Sequence, residues 1–98
     1  MPGLSDPVGT SYTLAANASA TSNEFIWQGG PGAFTAEATF GGGTITLQYQ
    51  TGNGTWISVG PDTTLTANGG AGFILPLGTP IRVSIATATA VYAYVTRM

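Results

Sequence analysis

From Tyr12 onward the chain is a succession of short runs rich in Thr, Val, Ile and aromatic residues. Clusters of Gly, Pro and Asn interrupt them at intervals of about 8–12 residues, the rhythm of a β-sandwich or barrel. No stretch repeats its apolar residues with a period near 3.6, and the long helix formers Lys, Glu and Arg are almost missing. Strands are expected near Tyr12–Ala16, Glu24–Gln28, Ala33–Phe40, Thr44–Gln50, Thr55–Val59, Thr63–Ala67, Gly72–Leu75, Pro80–Ala86 and Ala90–Thr96. Some of these should merge, leaving an all-β antiparallel sandwich of about eight short strands over residues 12–98. Residues 1–11 carry two prolines, two glycines and no period, so they are expected to form an extended N-terminal arm. At 98 residues the sandwich is one domain.

Alternation assigns faces within the runs. Phe34, Ala36, Ala38 and Phe40 share one side, opposite Thr35, Glu37 and Thr39. Ile81, Val83 and Ile85 share another, opposite Arg82 and Ser84. In the last run Val91, Ala93 and Val95 alternate with Tyr92, Tyr94 and Thr96, so both of its sides are at least half apolar. That strand should be covered twice, by the second sheet and by a neighbour or the arm.

The segment TITLQYQTGNGTWISV, residues 44–59, is a β-hairpin. A three-residue loop Gly52-Asn53-Gly54, with Gly54 left-handed, would pair Thr51 with Thr55, Tyr49 with Ile57 and Leu47 with Val59. Trp56 would then face outward beside Gln48 and Gln50. A two- or four-residue loop would put Trp56 beside Tyr49 instead. The first register fits the pattern better, because it leaves neither Ile57 nor Val59 on the polar side.

Charge limits function. Only two arginines and four carboxylates are present, with no lysine, histidine or cysteine. Two cations cannot neutralise a run of phosphates, so nucleic acid is not an expected partner. Without histidine, cysteine or lysine no familiar base–nucleophile couple can be built. Glu24 and Glu37 are the one carboxylate pair that adjacent strands could bring together. They read more simply as solvated strand residues, so no enzyme activity is expected. Four scattered carboxylates do not suggest a metal site, and no cofactor motif occurs: Gly41-Gly42-Gly43-Thr44 lacks the lysine of a phosphate loop and reads as a turn. No apolar run is long enough for a membrane helix, and the opening MPGLSDPVGTS has no secretory pattern. The matches to the glycosylation pattern at Asn17 and Asn53 then read as chance composition. A net charge of −2 resists self-association weakly, which suits a subunit packed into an assembly. Trp27, inside Phe25-Ile26-Trp27, is expected in the core, whereas Trp56, Tyr92 and Tyr94 are candidates for the surface.

The segment from Gly43 to Arg97 resembles the small β-sandwich virion proteins of tailed bacteriophages, of the capsid decoration or cement type. The likeness rests on Gly54-Thr55-Trp56, on Leu75-Pro76-Leu77-Gly78 leading into Ile81-Arg82-Val83, and on the closing Val91-Tyr92-Ala93-Tyr94. It implies a jelly-roll-like sandwich on the outer capsid surface of a virion, bound to the major capsid protein. It also implies that the subunit clamps the capsid through the arm and a sheet edge, as a homo-oligomer, a trimer before a dimer. On that basis Pro2, Leu4, Pro7 and Val8 are candidate capsid contacts, and Trp56, Tyr92 and Tyr94 candidate anchors between subunits. A glycan- or receptor-binding module, its aromatics stacking on sugars, and a tail or connector subunit are the alternative expectations.

Overall fold

A computed structural model describes residues 9–98; the arm positions Pro2, Leu4, Pro7 and Val8 lie outside the described residues. The strands are β1 (Ser11–Ala18), β2 (Phe25–Ile26), β3 (Gly30–Thr39), β4 (Thr44–Gln50), β5 (Trp56–Ser58), β6 (Thr64–Leu65), β7 (Gly69–Leu75), β8 (Pro80–Ala86) and β9 (Thr89–Arg97). The first sheet has the order β1-β9-β3-β7, and the second β2-β8-β4-β5, with β6 also pairing β4. The antiparallel pairs nest: β1 with β9, β2 with β8, β3 with β7, and β4 with β5 and β6. A long hairpin rolled over on itself in this way is a jelly-roll sandwich. The roll also takes in residues 9 and 10, because the Gly9 N–H donates to Arg97 O (2.6 Å) and the Arg97 N–H to Thr10 O (2.8 Å).

Period-two alternation becomes burial. Phe34, Ala36, Val91, Ala93, Val95, Phe73 and Leu75 from the first sheet meet Ile45, Leu47, Ile81 and Val83 from the second. Trp27, fully buried after β2, closes one end of this layer. Its Nε1 donates to Gly30 O (3.1 Å), and its ring packs on Phe73 at 4.9 Å and edge-on to Tyr12 at 6.4 Å. Gly32 lies beneath the ring, where a methyl group would come within 2.6 Å of Trp27 Cζ2.

Two expectations are corrected. The strand expected at Thr63–Ala67 shrinks to the two-residue β6, preceded by a 3-10 turn, Pro61–Thr63. Pro61 has no N–H for a ladder, and residues 60–63 loop out between Val59, whose N–H donates to Leu47 O, and the Thr46–Thr64 pair. The buried Thr63 closes the excursion by donating from Oγ1 to Gly60 O (2.8 Å). Second, Glu24 and Glu37 do not share adjacent strands. Glu24 precedes β2 of the second sheet, whereas Glu37 lies in β3 of the first.

The β4–β5 hairpin has the three-residue loop. Tyr49 pairs Ile57, Gln50 pairs Trp56, and the Thr51 N–H donates to Thr55 O (2.8 Å). Gly54 is left-handed at φ 84° and open to solvent, whereas Gly52 is not left-handed and would meet nothing within 4 Å. Gly54→Ala is therefore expected to cost about 1–2 kcal/mol through its backbone conformation alone. Gly52→Ala should be neutral or stabilise by up to about 1 kcal/mol. Urea unfolding of the two variants checks the contrast, and equal effects would contradict this loop.

Candidate functional site

The three aromatic candidates do not converge. Trp56 is carried on the outer side of the second sheet by the Gln50–Trp56 pair, among Gln48, Ser58, Arg82 and Ser84. The guanidinium of Arg82 sits 4.4 Å from the centre of its ring, and Arg82 Nε donates to Gln48 Oε1 (2.8 Å). One face of the indole is thus already taken by a cation. Elsewhere this outer side is threonine, serine and glutamine, with Thr46 donating to Thr64 (3.3 Å).

Tyr92 and Tyr94 stand on the opposite side of the molecule, on the outer face of the first sheet. There Tyr92 pairs Glu37, and Tyr94 pairs Thr35 and Thr13. Thr35, Ala36, Glu37 and the two tyrosines line a pit of about 150 Å³. Beyond the pit the floor is bare: the next cross-strand row is Thr96, Ala33 and Gly72. The row after it is apolar, with Pro31 paired to Ile74 and accepting at its carbonyl from the Met98 N–H (3.1 Å). Ile74 is 76% exposed and Met98 55%. Leu77, 69% exposed, lies just past the end of β7 against the backbone of Gly29. This end is pinned by the Gly78 N–H donating to Trp27 O and by Arg97 Nη1 donating to Gly29 O (2.6 Å). The face runs from two aromatics, over small residues, to an apolar rim, and Glu37 is the charged side chain among these pairings.

Sequence reasoning singled out the tyrosines but missed Pro31, Ile74, Leu77 and Met98. The signal was present in part: once Phe73 and Leu75 are assigned to the core, alternation turns Ile74 outward. What was absent was the register that puts Pro31 beside it.

A second concavity, about 470 Å³, runs between β1 and residues 20–25, lined mainly by Thr, Ala, Ser and Asn, with Glu24 the one charged group among the described residues. Glu24 and Glu37 therefore line different depressions. Among the described residues no three Asp, Glu, His or Cys side chains gather to hold a metal ion.

No family model matches the chain, and no curated protein sequence matches it. Among solved structures, the crystal structure of the SPBc2 prophage-derived protein YomS is similar, with a TM-score of 0.68 over 97% of this chain and 96% of that one. At 14% identity that likeness speaks for the fold.

Proposed function

We propose that this chain is a non-enzymatic structural subunit of a phage particle, a decoration subunit that binds the major capsid protein on the outer surface of the head and reinforces the shell. The observation that carries the reading is the outer face of the first sheet. Among the described residues, Ile74, Met98, Tyr92 and the rim around Pro31 stand uncovered, in a chain with only six charged side chains. Exposed apolar area of this kind marks a surface that works while covered. The shared fold with a prophage-derived protein supports the phage context. Repetition over a symmetric shell would let many shallow contacts act together, so that no single interface has to be tight.

The glycan-binding alternative draws less support at Trp56. A sugar stacking on Trp56 would have to displace the Arg82 guanidinium from one ring face or use the other. Arg82 is meanwhile held by Gln48.

Mass spectrometry and immunogold labelling of particles from the phage or prophage that carries the gene provide the test. The chain is expected on the head, in fixed proportion to the major capsid protein. Tyr94→Glu is expected to weaken retention on the shell by roughly thirtyfold, the loss of one aromatic anchor of about 2 kcal/mol. Absence from particles would end this reading, and labelling confined to the tail would move the chain to the tail or connector alternative.

A further inference from the structure

The edges of the two sheets are not alike. An open edge presents unpaired N–H and C=O groups, and proteins blunt it with short strands, bulges, prolines or charges. The β1 edge carries two register shifts, at Thr13/Ala15 and Ala15/Ala18. On the second sheet β2 and β6 have two residues each and β5 has three. β7 has none of these devices. It is seven residues long, Gly69-Gly-Ala-Gly-Phe-Ile-Leu75, without charge or proline. It pairs β3 without a break from Gly30↔Leu75 to Ala36↔Gly69, and among the described residues no strand occupies its other side.

Its glycines sharpen the contrast. Gly70 is needed within the subunit, because a methyl there would come within 2.5 Å of Phe34 O. Gly72 and Gly69 are not. Neither is left-handed, and the nearest atom to an added methyl is 3.8 Å away at each. Glycine inside a strand weakens it relative to alanine and often marks the close approach of another chain.

We infer that β7 is a self-association edge: two copies pair β7 to β7, antiparallel about a two-fold axis at Gly72, and join their first sheets side by side. The partner's identity follows from the strand itself. A two-fold axis perpendicular to the sheet keeps each residue on its own face, so inward residues must oppose inward ones and outward residues outward ones. Centring on Gly72 is the register that uses all seven residues. It sets Phe73 against Ala71, Ile74 against Gly70 and Leu75 against Gly69 of the other copy. Each bulky side chain of the C-terminal half meets a small residue of the N-terminal half, and the exposed Ile74 gains a neighbour. With no charge on the strand and a net charge of −2 on the chain, little repulsion opposes the pairing.

Size-exclusion chromatography with light scattering on the full chain tests this pairing. At about 100 μM, above the Kd of all but the weakest specific interfaces, the expected mass is twice 9.9 kDa. Gly72→Lys and Gly72→Glu each place like charges face to face on the axis, and should weaken the dimer by at least about a hundredfold. Their thermal unfolding, read at a concentration where all forms are monomeric, should match that of the unaltered chain. An equimolar mixture of the lysine and glutamate variants should recover the dimer mass, because opposite charges then meet on the axis. A monomeric or trimeric unaltered chain would overturn the inference, as would a dimer that survives both charged variants or a mixture that stays monomeric. A dimer lost on deleting residues 1–8 but intact in the Gly72 variants would assign the association to the arm and overturn it equally. None of these outcomes bears on whether the chain is found on phage heads, so this inference and the decoration reading can fail separately.

Discussion

Trp27→Ala is expected to lower the folding stability by about 3–5 kcal/mol, the range for removing a large aromatic from a core. The upper end applies because the site cannot collapse. The backbone of Trp27 is held on both sides, its N–H donating to Thr79 O and its C=O accepting from the Gly78 N–H, each at 2.9 Å. The floor of the slot is Gly32, which has no side chain to move into the space, and the walls are Phe73 and Tyr12. Gly30 O also loses the indole donor. For a domain of this size the change corresponds to a fall in Tm of roughly 12–40 °C, against a total stability of about 5–15 kcal/mol for ordinary domains. Calorimetry or urea titration of the purified variant reads this directly. A melting temperature within a few degrees of the parent would mean that the ring does not organise this end of the sandwich.

Gly43→Ala should cost about 3 kcal/mol or more, at the high end for an overpacked site. The reason differs from that at Gly54. Gly43 is not left-handed, so the penalty is steric: an added methyl would collide with Ala86 O and come within 2.7 Å of Ala88 N and 2.8 Å of Thr87 Cβ. Two of these neighbours are backbone, which cannot rotate aside as a side chain would. They lie at the end of β8 and in the link to β9, where Thr87 (φ 70°) is already left-handed without being glycine, as is Ala90 (φ 52°) at the start of β9. Moving that link disturbs the entry of β9, the strand between β1 and β3. Gly42→Ala provides the control. Its surroundings are empty but its φ is 85°, so it should cost only about 1–2 kcal/mol. If the two variants were equally destabilised, backbone conformation rather than contact would explain Gly43, and the close approach of β4 to the β8–β9 link would be in doubt.

These two sites differ in how visible they were. Trp27 in the run Phe25-Ile26-Trp27 was legible as core, because a large apolar residue in a short strand among apolar neighbours has few other places to go. Gly43 read only as the last glycine of a turn. Its contact with Ala86 spans the chain from one sheet neighbour to the next, and nothing local signals that a carbonyl will arrive there. The surface candidates divide in the same way. Trp56 could be turned outward from loop length and alternation alone, and the outer positions of Tyr92 and Tyr94 followed from Val91, Ala93 and Val95 being buried. That the two groups occupy opposite sides of the sandwich could not be read in advance, nor could the approach of Arg82 to Trp56.

Local physics was therefore readable from the chain itself. Period-two alternation, glycine at a left-handed turn position, and a scarcity of charge and of helix formers act over a few residues. They determined an all-β sandwich, the inner and outer residues of most strands, and the register of the β4–β5 hairpin. Strand partnership is a contest over the whole chain, decided by how much apolar surface each arrangement buries after loop closure. Only the tertiary structure could send β2 and β3 to different sheets and separate Glu24 from Glu37. It also looped residues 60–63 out of the strand opposite β4, set Pro31 beside Ile74, and left β7 with a strand on one side only among the described residues.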